Sequence, residues 1–478
     1  MFTHLHLHTE YSLLDATIRL PDLIQKLQDS GMKACAITDH GNMYGAYKFV
    51  SAMREAGLKP ILGCEIYIAP RGMDKKDFGI DNKYFHLVLL AKNLQGYKNL
   101  AKIVSIAHME GFYYRPRIDI ETLSKYTDGL IALSACLVGP ISVPLLEGKY
   151  EKALETAKRY SEMFKDNFFI ELQRNGMKEQ EIVNEGLLKI AKELDLPIVA
   201  TCDSHYLNKE DAQIQEIMWC IADGKSWDDP EMRMMPTNEF YVKTPKEMEE
   251  LFKDLPEAIQ NTQKIADMIE EYDITFDRIE PKYLDLPKGE TSKSYLRKLA
   301  LEGMKKKYDE ITDSLKERVE YELKIIDDKM YNDYFLVVRD FVMFCRQNGI
   351  VVGMRGSGCG SVVAYCTDIT DIEPISWELY FERFLNPERD SPPDFDIDIA
   401  DQRRDELIQY TIQKYGFDNV KQIGTFSKFQ TRQAIKDVGR VLGVELSVTD
   451  KLAKMVEILF GKSRDIDYMI EHNPEFRE

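Results

Sequence analysis

His4-Leu5-His6-Leu7-His8-Thr9 stands near the start of the chain, and the next apolar run ends in Thr38-Asp39-His40. Period-two spacing puts His4, His6 and His8 on one face of an extended segment. Short apolar runs of this kind recur at 2–8, 34–40, 60–68, 85–91, 130–136, 168–172 and 197–205. Stretches with helical spacing lie between most of them, at 20–27, 44–55, 97–108 and 152–164. Alternating strands and helices predict a parallel sheet, open or closed. Seven such runs favour closure into a barrel over a doubly wound sheet.

The residues at the ends of these runs are of one chemical kind. The first run carries its three histidines, the second ends at His40, the third holds Glu65 and the fourth opens with His86. The fifth ends at Cys136, and the last ends in Asp203-Ser204-His205. Reactive groups of α/β barrels collect at one rim. Imidazole, carboxylate and thiolate gathered there suit zinc, manganese or iron. A single strand histidine is ordinarily a satisfied core or surface residue. Here, however, six of the eight histidines fall within the runs, which a scattered origin does not explain.

The fragments HLHLHT, AITDHGN, GCEIYI, FHLVLLAKN, LSAC and ATCDSHY, in this order, resemble the motifs of the PHP domain, the polymerase and histidinol phosphatase fold. The resemblance implies a distorted seven-stranded (βα) barrel holding up to three metal ions, Zn2+ or Mn2+. It assigns the nine ligands to His6, His8, Asp15, His40, Glu65, His86, Cys136, Asp203 and His205, and leaves His4 outside the set. In that family clustered metals hydrolyse phosphate esters. Some polymerase PHP domains remove nucleotides in the 3′-to-5′ direction, whereas others have lost ligands and only scaffold.

Bulk properties set the limits. A chain of 478 residues, 44% hydrophobic and 10% aromatic, can fill two to four domain cores. No apolar run approaches the ~18 residues of a membrane span. The start lacks the basic and apolar segments of a signal peptide. The eight cysteines are scattered with no C-x-x-C pair, which fits a reducing cytoplasm and argues against a disulfide framework or zinc ribbon. A net charge of −18 excludes a general basic coat but leaves room for local basic surfaces.

From about 208 to 340 the chain is charged and helical in pattern, with candidates at 212–222, 245–252, 256–271, 294–308 and 314–328. Pro281 and Leu286-Pro287-Lys288-Gly289 mark a loop and a domain boundary. Beyond an apolar helix at 334–345 comes Val352-Gly353-Met354-Arg355-Gly356-Ser357-Gly358-Cys359-Gly360-Ser361. A strand, a Gly/Ser turn and a helix start outline a phosphate cradle, although a structural Gly-rich turn explains the same pattern. Farther on, Pro392-Pro393-Asp394-Phe395-Asp396-Ile397-Asp398-Ile399 places three aspartates on one strand face, neighbours ~6–7 Å apart. Such crowding calls for cations. Paired carboxylates holding two divalent metals ~3.5–4 Å apart carry out in-line phosphoryl transfer.

RGSGCGS followed by ITDIEPISWELYFERFLNPERDSPPDFDIDI resembles the palm of the C-family DNA polymerases, the family of the bacterial DNA polymerase III alpha subunits. That palm is similar to the nucleotidyltransferase fold. The resemblance implies that Arg355, Gly356, Ser357, Gly360 and Ser361 contact the triphosphate, and that Asp396 and Asp398 hold two Mg2+ ions. The loop reads VGMRGSG where the family has VGPGRGSG, one residue shorter. The family's third carboxylate falls on a later strand, beyond Glu478. The segment 422–442 resembles the opening of the thumb. Lys428, Arg432, Lys436 and Arg440 follow there at i+4 spacing, either a solvated stripe or contacts to duplex phosphates.

The expected organisation is a PHP domain with helical extension over 1–275, the first part of a palm over 276–428 and an incomplete thumb over 429–478. The implied substrates are primed DNA template and deoxynucleoside triphosphates. The implied partners are a sliding clamp, proofreading and clamp-loader subunits, with no membrane. The chain is then the N-terminal piece of a polymerase, a self-sufficient phosphoesterase or exonuclease, or a non-catalytic assembly module.

Overall fold

The computed structural model describes residues 2–276, 279–388, 392–459 and 461–478. Arg389, Asp390 and Ser391, inside the palm-like motif, lie outside the described residues. The chain divides into two compact units, one formed by the stretch up to Thr275 with Lys428–Glu478, the other by Phe276–Ser427.

The first unit is built on a mixed sheet. Its strands are β1 (Ala34–Ile37), β2 (Lys59–Ile68), β3 (Phe85–Ala91), β4 (Phe112–Tyr113), β5 (Arg115–Ile118), β6 (Leu130–Leu133), β7 (Phe168–Gln173) and β8 (Ile198–Thr201). β1 pairs with β2, and the order then runs β2-β3-β6-β7-β8, with β5 and β4 on a side branch from β2. The alternation predicts a parallel sheet, and the sheet departs from it at β3. β3 runs antiparallel to both β2 and β6. The physical reason lies in the connection: no helix intervenes between Ile68 and Phe85, so there is no crossover to bring β3 back parallel.

The first run, 2–8, forms no ladder. It makes two isolated parallel bridges, His4 with Cys35 beside β1 and Leu7 with Ser204 after β8. Backbone bonds from Ala36 N to His4 O and from His8 N to Ser204 O accompany them. This segment joins the two free ends of the curled sheet and acts as the seventh stave. The chain bends at His6. Leu5 therefore points inward with Ile61, Val88 and Phe169, while His4 stays with Phe2 on the outer side. The three histidines do not share one face, in contrast to the period-two expectation.

Inward positions change character along the barrel axis. The lower half holds Ile61, Val88, Leu90, Ile131, Leu133, Phe169 and Val199. The helix Pro256–Met268 closes this floor with Ile265 and Ala266. Polar ties fix the plug: Thr3 N donates to Thr262 Oγ1 at 3.1 Å and Asn261 Nδ2 to Ile198 O at 2.8 Å. Continuing two residues at a time, the inward positions become Glu65, Thr201 and Asp203 at the top. Outside the wall, amphipathic helices bury one stripe each; Leu23 and Leu27 of Leu20–Asp29 are typical.

The second unit packs the helices Ser292–Lys307, Asp313–Asp328 and Asn332–Gln347 around the short helix Val362–Cys366. Beside them lies an antiparallel pair, β9 (Val352–Arg355) and β10 (Asp396–Ile399), in which Asp396 faces Arg355 and Asp398 faces Gly353.

Candidate metal centre and phosphate site

The top of the barrel brings all nine predicted ligands into one cluster, with the Glu65 carboxylate at its middle. Glu65 Oε1 lies 3.2 Å from His6 Nε2 and 2.9 Å from His86 Nδ1, and Glu65 Oε2 lies 2.7 Å from His40 Nδ1. Asp203 Oδ1 is 3.2 Å from both His6 Nε2 and His8 Nε2, and 3.6 Å from His205 Nδ1. Cys136 Sγ is 3.6 Å from His86 Nδ1, and Asp15 Oδ2 is 3.5 Å from His40 Nε2. His8 stacks on His40 with centroids 3.9 Å apart.

Backbone strain helps to place these groups. Ala135 and Asp203 both adopt left-handed conformations, φ +64° and +54°. At Ala135 the left-handed residue interrupts strand parity and turns Cys136 toward the cluster. His4 takes no part: its Nε2 is 2.8 Å from the Lys243 carbonyl.

A second layer, which the sequence reading missed, holds the first. Glu171 Oε1 is 2.6 Å from His6 Nδ1, and its other oxygen accepts from Ala135 N at 3.0 Å. Gln173 Nε2 and the Thr201 hydroxyl also donate to Glu171. Buried Asp39 accepts from Thr9 N at 2.7 Å and Ser12 Oγ at 2.7 Å, and Ser12 Oγ lies 3.2 Å from His8 Nδ1. Carboxylates that fix the far nitrogen of a ligating imidazole are a regular feature of metal sites. The available signal was an acid inside the otherwise apolar run Phe168-Phe169-Ile170-Glu171-Leu172.

Among the described residues, His6 Nε2, His8 Nε2, His40 Nδ1, Glu65 Oε2, His86 Nε2 and Asp203 Oδ1 are buried without a hydrogen-bond partner. Several of these atoms are close, yet none meets another in hydrogen-bonding geometry. Orphaned buried donors and acceptors are costly unless something else satisfies them. In three subsets the ligand atoms all lie within 4.8 Å of one another: His6, His8 and Asp203; His8, His40 and His205; His40, Glu65 and His86. The donor set fits divalent metal ions.

The charge balance agrees. Burial opposes ionisation of Glu65, but His86 and His6 outweigh it and hold the carboxylate well below its ordinary range. Burial alone would neutralise His6, yet Asp203, Glu171 and Glu65 raise its pKa well above the histidine norm. Burial, with His40 and His205 nearby, keeps His8 neutral. Burial, Glu65 and Asp203 push the Cys136 thiol well up. A site of this kind holds protons where a cation can replace them.

The second unit presents a more open arrangement. Arg355 Nε lies 3.3 Å from Asp398 Oδ1, and Arg355 Nη1 is 3.8 Å from Asp396 Oδ2. Gly356 has φ +78°, and a Cβ there would stand 2.5 Å from Asp396 Oδ2. Phe395 is buried while Asp394 and Asp398 are exposed, as alternation predicts. Arg355, Gly356 and Ser357 form an exposed lip beside the carboxylates, but Gly360 and Ser361 are buried.

The helix start behind this lip does not offer the free N–H groups expected of a phosphate cradle. Glu322, fully buried, accepts from Ser361 Oγ at 2.8 Å, Val362 N at 3.1 Å and Val363 N at 3.0 Å. Ser361 Oγ in turn accepts from Ala364 N. Arg318 Nε donates to Glu322 at 2.7 Å and Arg318 Nη2 to Gly360 O at 3.1 Å, fixing the turn.

The predicted basic stripe is also altered. The helix spans Thr431–Val441, so Lys428 precedes it. Arg432 Nη2 donates to Val456 O at 2.7 Å, Lys436 Nζ pairs with Asp450 at 2.7 Å, and Arg440 Nη1 donates to Lys225 O at 3.0 Å. No helix among the described residues is long and apolar enough to cross a membrane.

Comparison with known proteins gives two family matches. A family model described as the PHP domain matches residues 4–175, and one described as the bacterial DNA polymerase III alpha NTPase domain matches residues 294–478. DNA polymerase III subunit alpha of Borreliella burgdorferi is 47% identical over 458 residues, 95% of this chain and 40% of that protein. Its counterpart from Treponema pallidum is 41% identical over 484 residues, covering 100% of this chain and 41% of that protein. The counterpart from Aquifex aeolicus is 40% identical over 476 residues, 95% of this chain and 41% of that protein. The chain spans about two-fifths of the length of the curated relatives it matches. Over this span the chain belongs to the bacterial DNA polymerase III alpha-subunit family.

Proposed function

We propose that this chain is the N-terminal part of a replicative DNA polymerase, and that its barrel is itself a metal-dependent phosphodiesterase acting on 3′ ends. The observation that carries the hydrolytic reading is the set of six buried, unpartnered ligand atoms at the barrel rim, Glu65 Oε2 among them. Up to three Zn2+ or Mn2+ ions, held by His6, His8, Asp15, His40, Glu65, His86, Cys136, Asp203 and His205, would supply an activated water and neutralise phosphate charge. Glu171 orients His6, while Asp39 and Ser12 hold the loop that carries His8. The complete donor set disfavours a purely scaffolding barrel.

The polymerase reading rests on the carboxylate pair of β10. Asp396 and Asp398 are suited to two Mg2+ ions for DNA-templated synthesis from deoxynucleoside triphosphates on primed DNA. Arg355, Gly356 and Ser357 form the lip that meets the triphosphate. Gly360 and Ser361 act from beneath, shaping the turn through Glu322. Of the four basic residues, Lys428 is the one outside the helix, and Arg432, Lys436 and Arg440 would have to exchange their present partners for DNA phosphates. The setting is cytoplasmic, with a sliding clamp, proofreading and clamp-loader subunits as partners.

Degradation of 3′-ended single-stranded DNA in added Mn2+ or Zn2+ tests the barrel, comparing wild type with Asp203→Asn/His205→Ala. Digestion by wild type alone is expected. Equal digestion by both, or none by a metal-loaded wild type, sinks the hydrolytic reading.

A further inference from the structure

A cleft of about 340 Å3 opens directly from the metal-ligand rim. Asp15 and His40 form its floor, and its wall includes Phe112, Tyr114, Arg115 and Arg233. This size is near the lower end of the ~300–1,000 Å3 typical of small-ligand sites. It has room for one nucleotide.

Arg233 is held in place, whereas Arg115 is exposed on the cleft wall. Arg233 donates to both oxygens of Asp223, at 2.7 and 3.1 Å, and lies over the Trp219 ring at 4.9 Å. Its Nη1 stays 3.9 Å from Asp15 Oδ1, and Trp219 Nε1 holds that same oxygen at 2.6 Å. Arg115 lies 5.9 Å from the Tyr67 ring centroid, and Tyr67 in turn stacks near His40. Two guanidinium groups thus flank the ligand cluster. Guanidinium forks match phosphate oxygens.

The aromatic side is displayed at a conformational cost. β4 and β5 form a hairpin in which Tyr113 faces Arg115, leaving Tyr114 alone at the tip. Tyr114 has φ +61° and is 59% exposed; Phe112 on the same hairpin is 52% exposed. A bulky residue in the left-handed region is strained, and glycine would serve the turn better. Arg117, fully buried, anchors the hairpin by donating to the carbonyls of Asp81, Gly111, Met73 and Lys75. The Tyr114 ring meets Tyr113 edge-on at 4.8 Å and lies 6.5 Å from Phe78, yet it is left largely exposed to solvent. Exposed rings beside cationic groups are the usual means of holding unpaired bases.

We propose that this cleft is a terminal-nucleotide subsite: Tyr114 and Phe112 stack on the base of an unpaired strand end, while Arg115 and Arg233 hold the phosphate over the metal rim. The subsite rests on the phosphodiesterase reading for its metal-side contact. It selects unpaired over paired termini, because a base stacked in a duplex cannot also lie on Tyr114.

The test is fluorescence anisotropy with metal-loaded protein and a single-stranded oligonucleotide carrying a phosphorothioate at its last linkage. A matched probe lacks only the terminal base. Wild type is expected to prefer the intact probe by roughly ten-fold, within the range for one base–aromatic stack. Tyr114→Gly should lose that preference while melting at the same or a higher temperature. Tyr114→Phe should keep it. Arg115→Ala/Arg233→Ala should weaken both probes alike. Equal affinity of wild type for the two probes, or an unchanged preference in Tyr114→Gly, overturns the subsite. Selective binding without hydrolysis would instead leave the subsite standing and remove the phosphodiesterase reading.

Discussion

The two carboxylate centres of this chain are built in opposite ways. In the barrel, the side chains of His6, Glu65 and Asp203 are 0%, 1% and 9% exposed, and their inward atoms lack hydrogen-bond partners. On β10, Asp396 and Asp398 are 39% and 69% exposed and share a single arginine. Burying unneutralised carboxylates is expensive, so the barrel centre is organised around an occupant. The β10 pair keeps its water and carries no such debt. Under the proposed polymerase function it would form one wall of a surface that nucleotide and metal complete. Preorganisation is thus concentrated in the barrel, whereas at β10 it lies behind the surface, in the buried Glu322 that fixes the Gly-rich turn.

The largest expected effect is at Glu65. Glu65→Gln preserves shape but removes the charge on which His6, His40 and His86 converge. Metal content, measured by elemental mass spectrometry, should collapse. Hydrolysis of single-stranded ends should fall further than the roughly 10–100-fold typical of changes in the outer layer. A fully metallated Glu65→Gln protein would end the contrast between the two centres.

Next is Glu322, the hidden support of the open site. Glu322→Ala removes the acceptor for Ser361, Val362 and Val363 and strands Arg318. Breaking a fully buried pair costs about 3–5 kcal/mol. Arg318 keeps 26% of its side chain in solvent, so the lower end, about 3 kcal/mol, is expected. Urea unfolding should show this loss with barrel metal content unchanged. A loss within error would mean that the turn at Gly360 is held by other contacts.

Eight of the nine proposed metal-binding residues could be read because each sits in or at the end of an apolar run or in a named motif, and the fold brings those positions together; Asp15 lies outside every run and motif and followed only from the family resemblance. The direction of β3 was less legible, although the clue was present. His86 opens its run while His40, Cys136 and His205 close theirs, and only an antiparallel strand carries an opening residue to the same rim. The bend at His6 was hidden, because strict alternation in the letters looks the same whether or not the backbone follows it. In the second unit the glycines and aspartates were plain, but their support was not. Glu322 lies far from Ser361 in sequence, and a lone acid in a charged helix gives no sign that it will fill another helix's start. Lys428 fell out of the basic stripe because the helix begins only at Thr431.

The smallest structural effect is expected at Asp398, and it bears most directly on the comparison. Its side chain touches only Arg355 among the contacts of β10, in a pair that is mostly solvated on both sides. Surface pairs of this kind contribute little, and Asp398→Asn should change unfolding free energy by no more than about 0.5 kcal/mol. Primer extension by the polymerase containing this chain should nevertheless be lost, because the carboxylate acts on the reaction and not on the fold. The same variant should leave digestion of single-stranded ends in the barrel untouched. A large loss of stability would show that β10 depends on its carboxylates for packing, as the barrel depends on an occupant for charge. Retained extension would show that Asp396 suffices with its other neighbours. The expected pattern, a silent fold with a silenced reaction, follows from a pair whose negative charge was never buried.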